Sequence, residues 1–155
     1  MAARHGDGLW TLADPETAPD LIETYRNERA ELGKPEGEIV LQVLVSWGPD
    51  DDAALEGARV WKGAQPPEYY VDDWHDPVAM YEHAEETISD DEFREKAIIS
   101  ADPAEHVRRL REAEELGATT VAIQNCSGAD VEGSIRIYAK EVLPQLRSVG
   151  ATSSA

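Results

Sequence analysis

Basic residues are scarce in this chain. Fourteen Lys and Arg stand against 32 Asp and Glu among 155 residues, a formal net charge of -18. The ammonium groups are those of Lys34, Lys62, Lys96 and Lys140. Nucleic acid and anionic membranes need clustered Lys and Arg to displace counterions, so neither is an expected partner. Cysteine is nearly absent as well: Cys126 stands alone, which excludes an internal disulfide. No apolar run approaches the roughly 20 residues of a membrane helix. The longest, Ile39 to Trp47, is interrupted by Gln42 and Ser46. Met1 to Gly8 holds no apolar stretch, so no secretory leader is expected there and the expected compartment is the cytoplasm.

Short catalytic signatures are missing too. No GxSxG, HExxH, Walker loop or CxxC occurs. Gly6-x-Gly8 lacks the third glycine of a dinucleotide fingerprint and precedes a strand instead of following one. His5, His75, His83 and His106 are scattered, with no third ligand at a spacing that would hold zinc. His106 lies beside Glu105 on an expected helix and is read as solvent-facing. A nucleophilic Cys126 would need an activating His or a helix N-terminus, and Asp130 opens the next helix only after a gap; a buried, idle thiol is the expected state.

What the chain has in abundance is acid, spread along its whole length in groups such as Asp50-Asp51-Asp52 and Glu114-Glu115. Salt screens such self-repulsion, since the Debye length falls to about 3 Å at 1 M. The composition fits a halophilic cytosolic protein; the plainer alternative is an ordinary acidic soluble one. The length suits one domain that hides roughly 70% of its unfolded surface.

Apolar runs and helical patterns alternate. Leu9 to Leu12 reads as a strand, followed by a helix start at Asp14-Pro15-Glu16-Thr17, where Asp or Thr can cap and Pro19 and Asp20 suit the first turn, with Leu21, Ile22, Tyr25, Arg29 and Leu32 in phase and Gly33 as its stop. Ile39 to Trp47 is a nearly continuous apolar strand, the pattern of a strand covered on both faces in a parallel sheet. Asp50 to Trp61 is the next helix, with three aspartates at its positive end. Lys62 to Asp76 is a long loop carrying Tyr69, Tyr70 and Trp74, a candidate lid or subunit interface. Short helices over Pro77 to Ala84 and Asp90 to Lys96 lead to a strand at Ala97 to Ser100. A helix from Asp102, a strand over Thr119 to Gln124 and a helix over Asp130 to Leu146 complete the pattern. This alternation predicts an α/β fold with a parallel sheet. The first strand begins almost at Met1 with no helix before it, and few strands are present, so the chain reads as a piece of something larger with an open, unpaired edge.

Several stretches carry a family resemblance. Gly6-Asp7-Gly8-Leu9-Trp10-Thr11 resembles the sixth-strand motif of luciferase-like barrel oxidoreductases. Ser46-Trp47-Gly48-Pro49-Asp50, with Ala53, Leu55 and Arg59-Val60-Trp61, is similar to the next strand and helix of the branch that includes deazaflavin-dependent glucose-6-phosphate dehydrogenase. Asp76-Pro77-Val78-Ala79-Met80 is similar to that branch as well. Ile99 to Glu105 looks like its approach to the seventh barrel helix, Leu116 to Val121 like its final strand, and Asp130 with Glu141 to Leu146 like its C-terminal helix. The series keeps the family's order over nearly all of Gly6 to Arg147.

The resemblance implies the C-terminal portion of a (β/α)8 TIM-type barrel over residues 1–147, with 148–155 a flexible tail. It implies coenzyme F420 as the hydride carrier, with FMN the alternative of the wider superfamily. Such barrels need about 200 residues or more, so the first half is missing. The family's ring-flanking His, Trp and Glu belong to that half. The resemblance therefore implies no catalytic residue here, and a cofactor not bound by this chain alone. The family's sugar-phosphate lysines fall at Pro15 and near Val71, and its arginine at Lys96, so glucose 6-phosphate is not the expected substrate. Lys96, Trp47 and Thr11 are the candidate substrate contacts; Lys96 could instead pair with Glu92 or Glu95, and Trp47 could simply pack. Two readings stay open. One is an enzyme part that acts on a small molecule once a complementing N-terminal barrel half joins it. The other is a non-catalytic remnant or a homodimerising module that pairs its open strand edge with a second copy.

Overall fold

The computed structural model describes residues 1–147; the expected tail at 148–155 lies outside the described residues. The elements in order are α1 (Ala2–His5), β1 (Gly8–Leu12), α2 (Ala18–Glu31), β2 (Glu38–Ser46), α3 (Asp51–Lys62), α4 (Pro77–Thr87), α5 (Asp90–Lys96), β3 (Ile98–Ile99), α6 (Pro103–Glu115), β4 (Thr120–Asn125), α7 (Val131–Ile137) and α8 (Leu143–Arg147). The chain divides into two compact units. One holds Met1–Val43 and Val107–Gln124; the other holds Leu44–His106 and the chain from Asn125 onward.

In the first unit β1 runs parallel to β2, with Leu9 level with Ile39 and Thr11 level with Leu41. The Thr119 amide donates to Ile39 O at 2.9 Å, which starts the pairing of β4 with β2. Ala3, Ala18, Ile22, Tyr25, Ile39 and Leu41 form the core. α2 begins at Ala18, with Thr17 at its N-cap and Pro19 and Asp20 in its first turn, as expected. Asp14 turns the chain ahead of it, accepting from the Glu16 amide and the Thr17 hydroxyl, each at 2.9 Å. Leu21 and Leu32, read as part of the apolar stripe, are exposed, while Arg29 is buried. Its guanidinium donates to Pro35 O at 2.7 Å, Gly6 O at 3.0 Å and Ala3 O at 3.3 Å, and lies over the Tyr25 ring. These bonds fasten α1, a helical turn that sequence reasoning did not expect before the first strand; at four residues it is too short to show a period. Gly37 has φ +80°, and a Cβ there would sit 2.3 Å from Asp7 O, so no other residue fits that turn.

In the second unit Val45 and Ser46 pair in parallel with Ile98 and Ile99. The Cys126 amide donates to Val45 O at 2.7 Å. Asp50 caps α3 through the Ala53 amide at 2.8 Å. Ser89 and Glu92 form a reciprocal capping box that starts α5 at Asp90, as expected. The core gathers Ala54, Leu55, Ala58, Ile88, Phe93, Ala97, Ile99 and Cys126. Lys62 is 3% exposed yet charged; it reaches Asp90 at 3.0 Å and Glu85 at 3.7 Å, while Arg59 reaches Glu85 at 3.0 Å and Asp90 at 3.4 Å. This cluster ties α3 to α4 and α5.

Three more expectations change. The strand expected over Ala97 to Ser100 shortens to two residues. The long loop contains a 3-10 turn at Pro67–Tyr70. The last helix is interrupted by a π-helical stretch, Tyr138–Val142. Along β2, Ile39, Leu41, Val43 and Val45 are buried and Val40, Gln42 and Leu44 half-buried, so one face is covered fully and the other in part.

Candidate functional site

Polar groups of the second unit converge where β2, β3 and β4 end. The Trp47 backbone amide donates to Ser127 Oγ at 3.0 Å, and its indole Nε1 donates to Ala101 O at 3.0 Å. Ser127 in turn donates to Asn125 Oδ1 at 2.7 Å. Asp51, in the first turn of α3, accepts from the Ala101 amide at 2.7 Å and the Ser100 hydroxyl at 3.2 Å. The Ala101 amide holds the Asp51 carboxyl below the usual carboxylate range, with Ser100 and Arg94 adding to the effect against the opposing cost of burial. His106 lies beneath the turn between β3 and α6. It was read as solvent-facing and is instead fully buried, bonded to Ser100 O at 2.9 Å and to the Tyr138 hydroxyl at 2.7 Å. Burial pushes the imidazole below its ordinary pKa and the Tyr138 phenol above its own. Helical phase could have located His106, since it shares a stripe with Leu110 and Ala113, both buried.

Of the three candidate contacts, Trp47 is half-buried past the end of β2. Lys96 is exposed at the end of α5, before β3 begins. The parallel pairing of Ser46 with Ile99 therefore leaves Trp47 and Lys96 at opposite ends of the β2–β3 pair. The Lys96 charge acts on Glu68 and Glu92. Thr11 belongs to the first unit. It is half-buried and level with Leu41, on the face that packs the core, whereas Trp10 and Leu12 present the other face. On that other face a ladder not foreseen from sequence crosses three strands: Trp10 Nε1 donates to Gln42 Oε1 at 3.1 Å, and Gln42 Nε2 to Gln124 Oε1 at 2.5 Å. Two glutamines inside otherwise apolar strands were the available signal.

The loop aromatics regroup. Tyr69 and Trp74 lie 4.9 Å apart, and the third ring is His83, 5.0 Å from Trp74, where Tyr70 was expected. Glu68 Oε1 meets His83 Nε2 at 2.7 Å, and the Tyr69 hydroxyl donates to Met80 O at 2.5 Å, so the cluster clasps α4. Tyr70 stands apart, 75% exposed. Cys126 is buried, its thiol pushed up to about 11 by burial. Among the described residues no helix is long and apolar enough to cross a membrane.

The buried side chains among the described residues offer no spare hydrogen-bond donor to a deazaflavin cofactor with its anionic phosphate and carboxylate tail. Such a tail needs spare N–H donors or cations. Among the described residues the buried side-chain atom without a hydrogen-bond partner is Glu85 Oε1, a carboxylate oxygen that would repel it. Lys62 lies 3.7 Å from that oxygen, an ion-pair distance but not a hydrogen bond. The depression lined by Glu56, Gly57, Arg59, Val60 and Tyr81, about 310 Å³, lies against α3 and α4 and not at the strand ends.

Comparison with known proteins gives this arrangement its context. The F420-dependent glucose-6-phosphate dehydrogenase of Microbacterium testaceum is 30% identical over 95% of this chain, and that of Nakamurella multipartita is 28% identical over 96%. In both, this chain spans 45% of the relative's length, less than half. Among solved structures, an F420-dependent secondary alcohol dehydrogenase in complex with an F420-acetone adduct is 29% identical; it superposes with a TM-score of 0.82 over 92% of this chain and 44% of its own. The F420-dependent tetrahydromethanopterin reductase of Methanopyrus kandleri, at 18% identity and a TM-score of 0.72, shares the fold. The parallel strands alternating with helices are thus part of a (β/α)8 barrel, as expected from the sequence. The model of the luciferase-like monooxygenase family matches residues 1–120, and the chain belongs to that family.

Proposed function

We propose that this chain is one part of a coenzyme F420-dependent oxidoreductase that moves a hydride to or from a small organic substrate. The observation that carries the reading is the superposition on the F420-dependent secondary alcohol dehydrogenase, at 29% identity over 92% of the chain. The chemistry that F420 supplies when bound is two-electron hydride transfer. The share assigned to this chain is the substrate-side wall at the strand ends, where barrel enzymes place their sites. Trp47, half-buried past the end of β2, gives this wall an aromatic surface. Cofactor grip is assigned to a complementing barrel half, whose strands would add to the free edge of β1. A second copy of this chain is the alternative occupant of that edge. The dispersed net charge of -18 supports work in a salt-rich cytoplasm.

The test is a fluorescence titration of the purified chain with F420 in molar KCl, with FMN as control. The expected result is no binding by the folded chain alone. Fusing the preceding barrel half of the Microbacterium testaceum relative ahead of Met1 should restore micromolar F420 binding. A folded fusion that binds neither cofactor would overturn the reading. Tight F420 binding by the chain alone would overturn the division of labour, and a preference for FMN would replace the cofactor.

A further inference from the structure

His106 and Tyr138 are buried, bonded to each other, and not used by the reading above. Their hydrogen bonds define a direction. Ser100 O is a carbonyl and can only accept, so His106 Nε2, 2.9 Å away, carries the proton and donates. His106 Nδ1 is then the bare nitrogen and accepts from the Tyr138 hydroxyl at 2.7 Å. Burial favours the neutral imidazole, and for the neutral ring these two bonds select the Nε2–H tautomer. Its ring stands edge-on to the tyrosine, centroids 5.4 Å apart at 83°.

The group held by this pair is the turn between β3 and α6. Ser100 O is fixed by His106, and the Ser100 hydroxyl bonds Asp51 and accepts from the Asp102 amide at 3.0 Å. Next along the chain, the Ala101 amide is fixed by Asp51, and its carbonyl receives the Trp47 indole N–H. The orientation of Trp47 therefore depends on a carbonyl whose neighbours on both sides are clamped. Tyr138 opens the π-helical stretch Tyr138–Val142. Such stretches are rare and frequently occur at functional sites.

We propose that His106 and Tyr138 are positioning residues: together they set the Ser100–Asp102 turn and, through Ala101 O, the plane of the Trp47 indole. The proposal deepens the assignment of Trp47 to the substrate wall and rests on it for its functional meaning. Its test uses neither cofactor nor substrate, so a failed F420 titration and a failed positioning test are separate results.

The experiment is nitrogen-15 NMR of the full chain in molar KCl. The four tryptophans give four indole N–H signals, and Trp47→Phe identifies the one that belongs to Trp47. In the parent chain His106 should show the Nε2–H tautomer. Tyr138→Phe should shift the Trp47 indole signal and speed its exchange with solvent about tenfold, leaving the signals of Trp10, Trp61 and Trp74 in place. His106→Gln, whose amide can still donate to Ser100 O, should keep the Trp47 signal near its parent position, while His106→Leu should move it. An Nδ1–H tautomer in the parent overturns the proposal, whether or not any variant folds. So does a folded Tyr138→Phe chain whose Trp47 signal and exchange match the parent.

Discussion

Replacing Lys62 by methionine removes the most deeply buried cation of the ion cluster while keeping most of its apolar stem volume. Coulomb attraction between Lys62 and Asp90 at 3.0 Å is about 5 kcal/mol at an effective dielectric of roughly 20. Burying the ammonium costs several kcal/mol in return. The carboxylate partners Glu85 and Asp90 are 30% and 42% exposed, and Arg59 still bonds both in the variant, so solvent and arginine absorb much of the change. The expected net loss is about 1–2 kcal/mol at neutral pH, roughly 1 M in urea midpoint. The acid limb should change too. Asp90 is held below the usual carboxylate range, first by its hydrogen bond from Lys62. A lowered carboxylate stabilises the fold above its unfolded pKa of about 3.9, and that contribution is lost as pH falls through the folded value. Parent and variant should therefore differ most near pH 7 and converge below about pH 4. Urea unfolding followed by circular dichroism at both pH values measures this. A Lys62→Met chain as stable as the parent at pH 7 would refute the reasoning, because desolvation of Lys62 would then match or exceed everything the cluster returns.

Two further outcomes test the second unit. Phe93 is fully buried in its core, so Phe93→Ala should cost about 3–5 kcal/mol in urea unfolding; a loss under about 1 kcal/mol would mean the site collapses around the void. Burial raises the Cys126 thiol to about 11, so at pH 8 an aromatic disulfide reagent should react more than about a hundredfold slower with the native chain than with the chain in denaturant. Equal rates would show that the thiol is reached without unfolding.

Much of the local structure was legible. Asp90 to Lys96 was expected as a helix and is one, because Ser89 and Glu92 close a capping box within four residues of sequence. The α3 start at Asp50 follows from the same kind of short-range bond. Where a boundary depended on distant partners, the expectation slipped. The Ala2–His5 turn exists because Arg29, more than twenty residues on, donates to Ala3 and Gly6 carbonyls.

The same division runs through the candidate site. Sequence alone determined the family order of motifs, the α/β alternation and the acidic surface, since each depends on composition or on spacing within a few residues. It also named Trp47 as lying at a strand end. Only the tertiary structure decided what surrounds it: Ala101, Ser127 and Asp51 come from segments up to 80 positions apart. His106 shows the difference most directly. Its neighbour Glu105 suggested water, but its ring is bonded to Ser100 just past β3 and to Tyr138, which arrives from the helical stretch after β4. A side chain's helical phase is written locally, whereas the hydrogen bonds that hold it depend on which distant segments the parallel sheet brings together.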